Sequence, residues 1–188
     1  MSSTEKRRVE PPPELTGDAL RDWLRAAVFA DAPEHHGWMD TLGLFVPNHR
    51  AVFELTVTID ADGTKVTHLE EHGVLWIAIK FTQYPGGEME MECQRDGRPF
   101  GFDDNPVLVE WHSNGMVAGE TFYDGTVIHA CGRPAIVAYY DNGMKRRETW
   151  VCRGKVDNGT EPATIWYNLD GSIRRRERLI DGKLARVE

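Results

Sequence analysis

Two arginine-rich runs carry the clearest recognition chemistry in this chain. Lys145-Arg146-Arg147 and Arg174-Arg175-Arg176 fall at comparable places in consecutive segments, with Tyr140, Trp150 and Trp166 nearby. If neighbouring strands bring the runs together, Arg146, Arg147, Arg174, Arg175 and Arg176 form a cationic stripe flanked by aromatic rings. Arginine beside aromatics suits an acidic protein partner, or single-stranded nucleic acid. The competing reading is that charges on an exposed sheet face keep it soluble and protect its edge. An acidic row, Glu88, Glu90 and Glu92, could answer the stripe in a neighbouring molecule, so self-association through acidic and basic ends is a further expectation.

The remaining polar groups promise less. His68-Leu69-Glu70-Glu71-His72 looks like a metal cluster, but its carboxylates are misplaced for the helical zinc motif and it sits in a hairpin context. On a strand His68 and His72 would lie roughly 13 Å apart, so a polar turn is the better reading. His35 and His36 are adjacent but have no partner at fixed spacing. Asp103-Asp104-Asn105 lacks the glycine and the terminal glutamate of a calcium loop. No phosphate-cradling glycine loop and no Gly-x-Ser-x-Gly elbow occurs. Cys93, Cys131 and Cys152 form no CxxC pair, which supports neither a zinc ribbon nor a redox motif and points to a reducing, cytoplasmic setting. No catalytic residue, metal or cofactor is therefore expected. An enzyme or metal-binding protein using His35, His36, His68 and His72 ranks last.

Glycines show what positions the arginines. Gly87, Gly115, Gly143 and Gly171 stand 28 residues apart, and Pro106, Pro134 and Pro162 keep the same step. A fixed period is the signature of one supersecondary unit repeated. A second set of turns follows each first one: Gly97, Gly125, Gly154 and Gly182 lie 10 or 11 residues further on, and Gly63 opens the series. Asx-Gly between alternating runs marks tight hairpins, because such turns need positive φ. The expected fold is mainly β: an antiparallel meander of about ten strands in five stacked hairpin repeats, forming a twisted open sheet. Within it Val52 to Ile59 alternates, and Glu88 to Glu92 alternates glutamate with methionine.

The repeat columns say which side is buried. Val107, Ala135 and Ala163 share one position. Val109, Val137 and Ile165 share the next on the same face, then Trp111, Tyr139 and Tyr167. Ahead of the repeats, residues 1–14 read as a flexible tail ending in Pro11-Pro12-Pro13. Residues 15–49 read as an amphipathic helix and a connector. Thr16 is its cap, and Leu20, Trp23, Leu24, Ala27 and Val28 form an apolar stripe. That helix is expected to cap the repeat domain of residues 50–188.

Composition sets limits. The chain has 188 residues, is 40% hydrophobic and carries a net charge of −8, enough for a packed core and unfavourable for general nucleic-acid binding. Charge is uneven: residues 1–125 carry 10 basic and 22 acidic side chains, and residues 126–188 carry 12 and 8. The N-terminus lacks a secretory h-region and no apolar run spans a membrane.

The run Arg133-Pro134-Ala135-Ile136-Val137-Ala138-Tyr139-Tyr140-Asp141-Asn142-Gly143, followed by Glu148 and Arg153-Gly154-Lys155, resembles bacterial and phage MORN-like repeats. It recurs as Glu161-Pro162-Ala163-Thr164-Ile165-Trp166-Tyr167, Asp170-Gly171, Glu177 and Asp181-Gly182-Lys183-Leu184. The match is best over residues 105–188. The resemblance implies stacked antiparallel hairpins and a non-catalytic scaffold or protein-binding role, in an antitoxin-like or phage-encoded setting. The glycine-rich spacing of the eukaryotic repeat is absent, and so is its implication of lipid binding. The alternative from another class is a small-ligand carrier, if ten up-and-down strands close into a barrel.

Overall fold

The computed structural model describes residues 2–9, 52–72, 77–101, 106–125, 127–130, 132–180 and 182–188, with single positions between 12 and 26. The fold is mainly β and antiparallel. Contacts divide the chain into two compact units, Met1–Arg98 with Ser113–Gly115, and Pro99–His112 with Met116–Glu188. The division thus falls inside the expected 50–188 repeat domain.

In the first unit β1 (Ser3–Val9), β2 (Val52–Ile59), β3 (Lys65–His72), β4 (Ile77–Gln83) and β5 (Met89–Arg95) lie side by side in chain order. The short β6 (Arg98–Pro99) folds back on β5. β1 corrects the expectation of a flexible tail. Ser3–Val9 pairs with β2 over seven residues, with Lys6 Nζ 3.1 Å from Glu54 Oε1 and the Thr4 and Thr58 hydroxyls 3.3 Å apart. Its run of polar and charged residues from Ser3 to Arg8 suits an edge strand, whose outer side must stay wet. In β5 the alternation behaves as its pattern predicts. Met89, Met91 and Cys93 are buried, while Glu90 and Glu92 stand between them half-exposed. Phe81 pairs with Met91 across β4 and β5, and both are at most 1% exposed, which places them in the core among the described residues of the first unit.

The second unit holds three further hairpins. They are β7 (Leu108–Trp111) with β8 (Val117–Thr121), β11 (Ile136–Tyr139) with β12 (Lys145–Thr149), and β15 (Thr164–Tyr167) with β16 (Ile173–Ile180). β17 (Lys183–Val187) follows as the last strand. Between the hairpins run the two-stranded ribbons β9 (Tyr123–Asp124) with β10 (Val127–Ile128), and β13 (Val151–Cys152) with β14 (Lys155–Val156). The period is written into the backbone bonds. Val107, Ala135 and Ala163 donate N–H to Thr121, Thr149 and Glu177 at 2.8, 2.9 and 2.8 Å. His112, Tyr140 and Asn168 donate to Met116, Met144 and Ser172 at 2.9, 2.8 and 2.8 Å, closing each hairpin turn. Asn142 and Asp170 side chains accept the N–H two residues on, at 3.0 and 2.9 Å, which is why Asx precedes glycine in these turns.

Six of the nine column residues are buried as expected. Val107, Ala135 and Ala163 are at most 1% exposed, Val109 and Trp111 likewise, and Val137 is 7% exposed. Ile165, Tyr139 and Tyr167 are half-buried, so the apolar face opens toward the C-terminal hairpin. Neither unit's strand order returns to its first strand, so the closed barrel does not form. The N-terminal helix and the connector with His35 and His36 fall almost wholly outside the described residues. Ala19, Trp23 and Ala26 have helical backbone, but no helical element stands among the described residues. No described helix is long and apolar enough to cross a membrane.

Candidate protein-binding surface

The strand registers decide what becomes of the arginine runs. Ala138 faces Arg147, Arg147 faces Trp166, and Trp166 faces Arg175, so these side chains form one transverse row over β11, β12, β15 and β16. The row extends through Gly119 to Glu110 across β8 and β7. Its middle is therefore shallow, because Gly119 and Ala138 have almost no side chain and both are buried. The Arg147 guanidinium lies over the Trp166 ring, 5.1 Å from its centre. Stacking of this kind holds a cation in place while leaving its N–H edge free to donate. Arg147 Nε and Trp166 Nε1 are both shut off from solvent without a hydrogen-bond acceptor. Arg175 is tied to Glu177 by an ion pair, which fixes the far end of the row.

The registers also disperse the runs. Each hairpin has a β-bulge, between Ala138 and Tyr139 and between Trp166 and Tyr167. The bulges absorb Arg146 and Arg174, which stand exposed beside the row without a register partner across the hairpin. Arg176 faces Ile165 and so shares the face of the apolar column, opposite to Arg147 and Arg175. There it lines an open groove of about 500 Å³ with Arg178 and Arg186. Thus the structure assembles Arg147, Trp166 and Arg175, sets Arg146 and Arg174 at the margin, and sends Arg176 elsewhere.

The two other aromatic candidates have structural engagements. Tyr140 donates its hydroxyl to the Tyr167 carbonyl at 2.8 Å, tying one hairpin turn to the next. The His112 ring bonds the Tyr139 carbonyl of the following hairpin at 3.2 Å. Trp150 lines a second open cavity of about 440 Å³ with His129, Cys152 and Asp157. No group of three metal-ligating side chains assembles among the described residues. His68 lies mid-strand in β3 rather than in a turn, and the structure describes no side chain for His72. Cys93 is buried and Cys152 exposed, both as free thiols.

A part-buried polar ladder supports the surface, and spacing alone could have suggested it. Glu120 and Glu148 are 28 residues apart, as are Tyr139 and Tyr167. Tyr139 donates its hydroxyl to Glu120 at 2.7 Å, and Tyr167 donates to Glu148 at 2.5 Å. Lys145 Nζ closes the second contact at 2.6 Å from the other Glu148 oxygen. Burial, reinforced by the bond to Glu148, pushes the Tyr167 phenol up to about 12. Burial and Glu120 raise Tyr139 as well. Both phenols therefore stay protonated donors, and the ladder locks β12 to β15 in the register that builds the row.

No protein-family model, no curated protein and no solved structure matches this chain.

Proposed function

We propose that this chain is a non-catalytic binding module, built of five stacked MORN-like hairpin repeats, that holds an acidic segment of a partner protein on the Arg147–Trp166–Arg175 row. The observation that carries the reading is the Arg147 guanidinium stacked over the Trp166 ring across two paired strands, a fixed cation beside an aromatic surface. A carboxylate takes up the positive charge of Arg147, with Arg146 and Arg174 at the margin supplying long-range attraction. Aromatic and arginine side chains together are the residue types that carry most binding energy in protein interfaces. Nucleic acid is disfavoured by the net charge of −8. The setting that fits the free cysteines and the repeat resemblance is cytoplasmic, with an antitoxin-like or phage-encoded role.

The test is affinity capture from native lysate, comparing the wild type with the double variant Arg147→Glu/Arg175→Glu. An acidic protein retained by the wild type and lost by the variant is the expected result. Equal retention by both would refute the row as the binding surface.

A further inference from the structure

The last strand of the second unit presents a second surface of a different kind. β17 has β16 as its one neighbour among the described strands, and all five of its residues are exposed. Arg176 and Glu188 exchange reciprocal backbone bonds of 2.9 Å. Antiparallel pairs alternate between bonded and non-bonded, so the N–H and C=O of Val187 point away from β16 toward the open edge. The Val187 side chain is 47% exposed and Leu184 58%, an apolar strip on an edge that soluble proteins ordinarily blunt.

Charge selects what can add there. Arg178 and Arg186 face one another in register and share the groove with Arg176, over Pro162 and Ile165. Glu161 also lines the groove, and Glu188 is held by Arg186 at 3.0 Å. Arg178 Nε is buried without an acceptor. Residues 173–187 hold six basic side chains against Glu177 and Asp181. Such an edge repels basic strands. The first unit's edge strand, β1, carries Lys6, Arg7 and Arg8, so a second copy offering β1 meets like charge. The acidic strand β5 is already paired with β4 along seven residues and has no free edge on that side.

We propose that β17 is a docking edge for an extended acidic segment of a partner protein, which adds as the next strand and sets carboxylates against Arg178 and Arg186. Main-chain bonds to Val187 supply the affinity, and the arginines supply the preference for acidic sequence. This edge is separate from the Arg147–Trp166–Arg175 row, so either surface can fail without the other.

Fluorescence anisotropy tests it with labelled synthetic peptides. One alternates glutamate with valine, one alternates lysine with valine, and one is the acidic peptide with alternate amides N-methylated. The acidic peptide should bind, and both controls should bind at least about tenfold more weakly. Val187→Pro removes the outward N–H without touching a bond to β16 and should reproduce the loss, whereas Val187→Ala should not. Arg178→Ala/Arg186→Ala should erase the preference for glutamate over lysine. Acidic-peptide binding at the Arg147–Trp166–Arg175 row needs no outward Val187 N–H and no peptide amides in register, so Val187→Pro and the N-methylated peptide read the edge alone. Failure of the acidic peptide to bind, or equal binding of its N-methylated form, overturns the proposal. So does dimerisation of the protein that competes with the peptide, which would assign the edge to a second copy.

Discussion

Tyr167 and Glu148 show how one residue pair sets the register of a hairpin. The phenol donates to a carboxylate that is 7% exposed and already bound to Lys145. Removing the hydroxyl leaves one oxygen of a buried charge without this donor, so Tyr167→Phe should cost about 1–3 kcal/mol. Tyr140→Phe removes a bond to a neutral carbonyl and should cost about 1 kcal/mol or less. Urea unfolding of the two variants measures the difference, and equal losses would show that the charge on Glu148 adds nothing. The Tyr–Glu spacing was legible in the sequence, since both members keep the 28-residue step. Their contact was not, because Tyr167 and Glu148 meet only through the strand pairing.

At the scale of elements, glycine does two different jobs. Gly97 follows Asp96 in a tight turn where both have positive φ, at 70° and 53°, and a side chain at Gly97 would meet open space. Gly101 has no such backbone demand. It donates to the Gly125 carbonyl at 2.7 Å, and an added Cβ would lie 2.2 Å from the Tyr123 carbonyl oxygen. Gly97→Ala should therefore cost about 1–2 kcal/mol through conformation alone. Gly101→Ala should cost about 3 kcal/mol or more, because backbone must move. Urea midpoints rank the two, and the reverse order would contradict the close approach of these segments. Periodicity pointed to Gly97 and passed over Gly101, whose role depends on a backbone distant in sequence. The bulges likewise leave no mark on the 28-residue period. A repeat column assumes strict alternation, and one extra residue per hairpin displaced Arg146 and Arg174 from the stripe they were expected to share.

For the molecule as a whole, alkaline pH probes the first unit's core. The Cys93 thiol is raised from its ordinary 9.0 to about 12, by burial first and by neighbouring Glu92 second. The folded state therefore holds this proton more tightly than the unfolded chain. The stability it contributes is complete below pH 9.0 and is lost as pH rises toward about 12. Urea midpoints of the wild type should fall across that range, and those of Cys93→Ala should fall less. Parallel curves would place the alkaline loss in other groups. The repeat and its turns are legible along the chain, and so is the side that most of its columns bury, because period and turn chemistry are local and recur every 28 residues. Arginine and tryptophan stand out there only as candidate binding residues. Tertiary pairing makes Ser3–Val9 a strand, since its partner β2 lies some fifty residues on. It also decides which arginines meet: pairing register and bulges put Arg147, Trp166 and Arg175 on one face and Arg176 on the other. Side-chain period in a strand is two, so a single-residue shift between hairpins changes the face, and no count along the chain reveals where that shift falls.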